Sequence, residues 1–339
     1  MFTEMKPTEK KRLLRIAFGT TIGFSVCKIM DWPYGVFFTV FPMLLLGMVP
    51  TFNRTLALEF IVGAAISALE MWVLQTFFKP FPLAMLLAVF FIFGYHFRFM
   101  LTSRYFLMWA SGLITLSTLL NFGSYDAGQA TDMVVATVLA ALISVVSAYL
   151  LYWLIPDTEP FKGTPPAKPS ASQINHRTIL GALLATISFA VFQIADLKDS
   201  LSAQVATMLI LFPMTYQGSV ISAKKRAKGV AYGCVLALCA QILLYDLISH
   251  FLLVALSLFM TVMITAYFHL VERSGSGIGF GALTTIGILY GQYLTPQGDI
   301  FFSALYRFSS VLVAMFCVLV VAFLLDNWLN RYKWTQNTP

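Results

Sequence analysis

Long apolar segments separated by short polar or basic segments recur along the whole chain. About 20 apolar residues cross the hydrocarbon core of a bilayer as one helix, and the observed segments approach this length. The pattern predicts twelve helices, six in each half of the chain. Their predicted bounds are 13–30, 35–49, 55–77, 81–95, 105–120, 131–155, 178–194, 200–216, 229–245, 251–268, 277–293 and 301–325.

Matching landmarks in the two halves indicate an internal repeat. Phe41-Pro42-Met43 corresponds to Phe212-Pro213-Met214, and Tyr95-His96 corresponds to Tyr267 and His269, at an offset of about 170–174 residues. Six helices per repeat is an even number, so both repeats have the same orientation. The sequence predicts parallel repeats at 1–157 and 176–339, related by a pseudo-twofold axis along the membrane normal. A proline-rich cytoplasmic linker, 158–175, joins them.

Composition supports this class. Hydrophobic residues make up 59 % of the chain and charged residues 11 %, whereas a soluble domain has about 25 % charged residues. The sequence therefore predicts an all-α polytopic membrane protein in contact with the lipid bilayer.

The distribution of basic residues predicts the orientation. With the N-terminus inside, only four of the 22 lysines and arginines fall at outer positions: Lys28, Lys79, Lys198 and Arg307. This asymmetry follows the positive-inside rule and places both termini in the cytoplasm. Because topology explains the net charge of +7, we expect no nucleic-acid partner.

No enzyme motif accompanies the helices. The sequence has no phosphate-binding P-loop, no H-E-x-x-H and no G-x-S-x-G, so we expect neither a catalytic residue nor a cofactor. The four cysteines and four histidines lack metal-ligand spacing, so we expect no metal site. Gly229-x-x-x-Gly233 and similar pairs predict close helix contacts.

The start of the second helix carries a family resemblance. Asp31-Trp32-Pro33-Tyr34 opens this helix, and Pro50, Arg54, Glu59 and Gly63 follow. This arrangement resembles the fusaric-acid-resistance and aromatic-acid-exporter superfamily, although the second half lacks the Trp-Pro-Tyr opening. The chain looks like a compact two-repeat branch of unknown function without the large cytoplasmic domains of long members.

The resemblance implies a multi-pass efflux transporter of a bacterial inner (plasma) membrane. It implies export of small, often aromatic, organic anions by proton antiport, together with a periplasmic adaptor of the membrane-fusion type and an outer-membrane channel. A homo-oligomer is compatible with the sequence. Two alternatives stay open, a passive anion channel and a membrane scaffold that transports nothing.

Several residues are candidates for the substrate path. Arg307 lies near the outer start of the last helix, where the superfamily often carries arginine, and could attract an anion. Pro42 and Pro213 are predicted at equivalent mid-helix sites, and broken helices at matched positions often mark a transporter site. The remaining path candidates are Lys28, Trp32 and Tyr34.

Ionisable residues inside a bilayer are candidates for proton coupling, because burying a charge there is costly. Asp132 and Arg307 occupy nearly equivalent positions and could pair across the axis, either for coupling or as a static structural pair. Glu59 and Glu70 share one face of the third helix, and each could carry a proton if burial disfavours its charged form. His96 and His269, predicted at the inner ends of the fourth and tenth helices, could relay protons or simply form interfacial hydrogen bonds.

Overall fold

The computed structural model describes residues 5–123, 127–157, 169–195, 201–244, 247, 249–273, 277–293 and 300–336. These residues are almost entirely helical and form no β-strand. The predicted all-α class is therefore confirmed. Most of the predicted linker and Lys198 lie outside the described residues.

The described residues form twelve α-helices, as predicted. They are α1 Pro7–Ile29, α2 Gly35–Met48, α3 Arg54–Val73, α4 Pro82–Thr102, α5 Phe106–Gly123, α6 Ala127–Leu154, α7 Ala171–Ile194, α8 Leu201–Leu211, α9 Tyr216–Leu244, α10 Phe251–Glu272, α11 Ile278–Ile288 and α12 Ile300–Leu329. Short π-helical segments, Leu74–Phe78 and Leu289–Tyr293, continue α3 and α11.

The boundary errors at α8 and α9 change how individual residues are placed. The predicted eighth helix continued to residue 216, but α8 ends at Leu211. Pro213 therefore lies in the turn after the helix and not inside it, so the prediction of two matched mid-helix prolines is wrong for Pro213. The predicted ninth helix began at residue 229, but α9 begins at Tyr216. The basic segment between these positions is helical because alanine, lysine and arginine all favour helix.

Eight of the described helices are long and apolar enough to cross a membrane. They are α3 with its π-helical segment, α4, α5, α6, α7, α9, α10 and α12. Helices α2, α8 and α11 have 14, 11 and 11 residues, too few to cross about 30 Å alone at about 1.5 Å per residue. The chain is thus a multi-pass helical membrane protein, whereas twelve separate crossings stay a prediction.

The short helices are also the most buried. The buried residues are 36–47 of α2, 203–211 of α8 and 279–288 of α11. The longer helix α5 is also buried, from Trp109 to Asn121. In contrast, α3, α4, α6, α9, α10 and α12 expose large apolar side chains such as Leu87, Trp153 and Phe316. These exposed apolar faces suit contact with lipid tails.

The chain forms two compact units. In unit 1, α1 packs on α2 and α10, and α11 packs on α10 and α2. Parts of α6, α9 and α12 complete it. In unit 2, α7 packs on α8 and α4, and α5 packs on α4 and α8. The larger part of α3, with the remaining parts of α6, α9 and α12, completes this second unit.

Each unit combines helices from both halves of the sequence. The packing partners in the two units correspond when helices six numbers apart are matched. For example, α1 packs on α2 and α10 in unit 1, and α7 packs on α8 and α4 in unit 2. This correspondence is what an internal repeat would produce and supports it. The repeat boundaries and the pseudo-twofold axis stay predictions.

Candidate functional site

A buried carboxylate–histidine pair lies in unit 2. His96 Nε2 is 2.9 Å from Glu70 Oε2, and His96 Nδ1 is 3.2 Å from the carbonyl oxygen of Trp109. The His96 side chain is 1 % exposed and that of Glu70 is 17 % exposed. Both residues lie within candidate membrane spans.

The two contacts of His96 determine where a proton must lie. A carbonyl oxygen only accepts hydrogen bonds, so Nδ1 donates its proton to Trp109. The remaining nitrogen, Nε2, then faces a carboxyl oxygen at 2.9 Å. Two lone pairs would repel at this distance, so in this tautomer the contact requires one proton between Nε2 and Oε2.

Small residues bring α5 close to this pair. A Cβ atom on Gly112 would lie 3.0 Å from Cε1 of His96 and 3.2 Å from Oγ of Ser67. Ser67 also donates a hydrogen bond of 2.8 Å to the carbonyl oxygen of Gly112. The pair therefore links α3 to α4, and α5 supplies the carbonyl group that fixes the histidine.

Glu70 and His96 were both predicted as proton-coupling candidates, but their contact was not predicted. The sequence pattern ended the fourth helix at residue 95 and placed His96 at its inner end. Helix α4 instead continues to Thr102, so His96 lies well inside it. The prediction that His96 lies at a helix end is therefore wrong.

Glu59 has a different environment from Glu70. Its side chain is 7 % exposed, and its carboxyl group interacts with the backbone N–H groups of Leu107 and Met108. These N–H groups belong to the first turn of α5 and have no partner within that helix. Glu59 therefore caps α5 from a neighbouring helix, a role that accounts for its burial without proton transfer.

Two buried arginines lie beside α11 in unit 1. Arg226 and Arg307 are 1 % and 3 % exposed. Arg226 Nη2 donates a hydrogen bond of 3.1 Å to Oγ1 of Thr284, and Arg307 Nη2 lies 3.5 Å from Oγ1 of Thr285. The two arginines thus contact adjacent threonines of one helix.

Glycines of α9 allow this helix to pack closely against α11. A Cβ atom on Gly229 would overlap the carbonyl oxygen of Ile278 and lie 2.9 Å from Cα of Gly281, and one on Gly233 would lie 2.6 Å from Cβ of Thr285. The predicted close contact at Gly229-x-x-x-Gly233 is therefore confirmed as a contact between α9 and α11. Arg226 lies one turn before Gly229 on the same helix face.

His269 is not equivalent to His96 in its contacts. Its Nε2 atom lies 2.8 Å from the carbonyl oxygen of Gly47, at the end of α2, and its ring lies 5.3 Å from that of Phe280. A backbone carbonyl cannot exchange a proton with the ring. The observed contact is the plain hydrogen bond that the sequence analysis kept as an alternative.

The other predicted site residues are dispersed. Pro42 lies inside α2, whose surrounding residues are buried. Trp32 and Tyr34 are half-buried before α2, with the Trp32 ring 5.5 Å from that of Phe38. Lys28 and Asp132 are exposed. Asp132 belongs to unit 2 and Arg307 to unit 1, and their pairing stays a prediction.

Two buried polar positions were missed by sequence reasoning. Arg226 was assigned to a cytoplasmic loop because it belongs to the basic run Lys224-Lys225-Arg226. Its spacing of three residues from Gly229 and seven from Gly233 was the available signal. His176 precedes the predicted seventh helix, 178–194, but it is buried in α7, and its Nε2 lies 3.0 Å from Oδ1 of Asp326.

Metal binding has no visible basis in the described part of the chain. There, no group of three or more histidine, cysteine, aspartate or glutamate side chains is arranged to hold a metal ion.

Comparison with known proteins supports the predicted resemblance. Residues 12–151 match a family described as Protein of unknown function (DUF2955), and residues 184–321 match the family Fusaric acid resistance protein-like. Neither a curated protein nor a solved structure gives a significant match. The predicted resemblance is thus confirmed for the second half of the chain, which is similar to the fusaric acid resistance-like family, while the first half is similar to a family of unknown function.

Proposed function

We propose that this chain is an efflux transporter of a bacterial inner membrane that exports small organic anions in exchange for protons. The fusaric acid resistance-like match and the eight apolar spans support a membrane transporter. We further propose that the anions include aromatic carboxylates, as the resemblance implies. Both termini would then lie in the cytoplasm, with a periplasmic adaptor and an outer-membrane channel completing the route.

The contact between Glu70 and His96 carries the proposal of proton coupling. This pair is buried within candidate spans and joins two side chains that can each accept a proton. The partial exposure of Glu70 leaves one side of the pair open to exchange. Few arrangements in a bilayer fit proton transfer better than a carboxyl group hydrogen-bonded to an imidazole.

Loss of the shared proton would change the packing of unit 2. Without it, the lone pair of Nε2 would face the negative charge of Glu70, and the link between α3 and α4 would become repulsive. Rebinding a proton would restore that link. The protonation state thereby biases the arrangement of two helices, which is the property that a coupled transporter requires.

Transport into inverted membrane vesicles tests this function. Vesicles that contain the protein are supplied with a panel of radiolabelled aromatic carboxylates, with and without a proton gradient. We expect at least one carboxylate to accumulate against its own gradient, and an uncoupler to stop this accumulation. Flux that only follows the anion gradient would favour a channel, and no flux even with the adaptor supplied would favour a scaffold.

A further inference from the structure

The pair Arg226 and Arg307 is unusual because it places two buried cations beside one short helix. Both guanidinium groups contact neighbouring threonines of α11. Burying a charge in a low-dielectric environment is costly unless an opposite charge accompanies it. Among the residues that the structure describes, no carboxylate forms an ion pair with Arg226.

Arg226 also keeps hydrogen-bonding capacity. Its Nε and Nη1 atoms are buried and have no hydrogen-bond partner within the described residues. A buried donor without a partner destabilises the folded state, and a charged donor does so more strongly. This arrangement is understandable if the two donors serve a ligand that is bound only during part of a transport cycle.

The threonines orient the arginines and are not themselves free to bind an anion. Thr284 donates its hydroxyl hydrogen to the carbonyl oxygens of Phe280 and Gly281, and Thr285 donates to that of Gly281. Each hydroxyl oxygen can therefore only accept from the neighbouring guanidinium group. The donors available to a ligand are the N–H groups of Arg226.

We propose that Arg226 and Arg307 form a binding site for the carboxylate group of an organic anion. The planar guanidinium group matches a carboxylate with two parallel hydrogen bonds, and Arg307 adds a second positive charge. The ligand class rests on the proposed export of organic anions. The site itself rests on the burial, charge and contacts of these residues.

Direct binding to the full-length protein in nanodiscs tests the site without any gradient. Isothermal titration is carried out with benzoate and phthalate, and with benzamide as an uncharged analogue of benzoate. We expect either carboxylate to bind and benzamide not to bind. Equal binding of benzamide and benzoate would overturn a site that recognises charge.

Substitutions then assign the binding to the two arginines. Arg226→Gln and Arg307→Gln should each weaken carboxylate binding by about tenfold or more, equivalent to about 1.4 kcal/mol. Arg98→Gln is the matched control, since Arg98 is exposed and contacts Asn175 in unit 2. Unchanged binding in Arg226→Gln, or an equal loss in the control, would overturn the proposal.

A second measurement uses only the unaltered protein and therefore does not depend on whether a variant folds. Benzoate and phthalate should raise the thermal unfolding midpoint of the unaltered protein, whereas the same concentrations of chloride and phosphate should raise it less. Equal effects of all four anions would contradict a carboxylate site. Carboxylate binding without proton-driven transport would support this site and refute the proposed function. Proton-driven transport with wild-type affinity in Arg226→Gln would support the proposed function and refute this site.

Discussion

At the residue scale, two glutamates with the same predicted role have different contacts in the structure. Glu59 and Glu70 lie on the same helix, and both were predicted as proton carriers. Glu59 interacts with backbone N–H groups of α5, whereas Glu70 contacts a titratable side chain, His96. These contacts predict different consequences for the same substitution.

Glu70→Gln should uncouple the transporter. The glutamine amide can donate a hydrogen bond to Nε2 of His96 and preserve the contact, but it cannot exchange the shared proton. We expect gradient-driven accumulation in inverted vesicles to fall to the level seen with an uncoupler, while downhill flux continues. Glu59→Gln is the control and should keep coupled transport, because an amide oxygen still caps α5. Equal transport by both variants would remove Glu70 from the coupling step.

Glu59→Ala should destabilise the protein. It leaves the first-turn N–H groups of α5 without an acceptor in a buried environment, at a cost of about 1–3 kcal/mol. Thermal unfolding in detergent, compared with that of Glu59→Gln, measures the effect. If alanine and glutamine gave the same unfolding midpoint, the assignment of Glu59 as a cap would be wrong.

At the element scale, most helices could be predicted from apolar length, but their contacts could not. The start of α2 at Gly35 and the end of α7 at Ile194 agree with the prediction because polar or proline-containing segments adjoin them. The start of α9 was missed because a basic run was interpreted as a loop. The contact of Glu70 with His96 depends on the tilt and depth of two helices, which apolar length does not determine.

Gly229→Ala should separate α9 from α11. The added methyl group would meet backbone atoms of Ile278 and Gly281, which cannot rotate away. We expect a loss of about 1–3 kcal/mol in stability, as for other overpacked sites, measured by thermal unfolding. Gly94→Ala is the matched control, because its Cβ atom would meet only that of Ala182, at an ordinary 3.7 Å. Equal stability of the two variants would contradict the close contact.

The same substitution also bears on the proposed anion site. Displacing α9 should move Arg226 away from Thr284, so Gly229→Ala should weaken benzoate binding in nanodiscs while Gly94→Ala should not. Unchanged affinity in Gly229→Ala would mean that the α9–α11 contact does not position Arg226.

At the scale of the whole molecule, neither half of the sequence contains a complete compact unit. Helix α1 packs on α10, and α4 packs on α7, so each unit needs helices from both halves. The apolar pattern predicted the repeats, but it carried no information on which helices of the two repeats pack together.

Dividing the chain within the linker tests this arrangement. Residues 1–157 and 169–339, expressed separately, should be degraded, because each would leave buried helix faces without partners. Co-expression should restore membrane levels and co-purification of the halves. Stable accumulation of the first half alone, at the level of the intact protein, would contradict the mixed units.

The most direct test of the central claim is transport by the purified protein in liposomes with the membrane potential clamped. The lumen is made more acidic than the outside, and uptake of radiolabelled phthalate, which crosses lipid poorly, is followed over time. Proton antiport predicts that phthalate accumulates above its external concentration and leaves again when a protonophore is added. Uptake that stops at equal concentrations, whatever the pH gradient, would contradict a proton-coupled exporter.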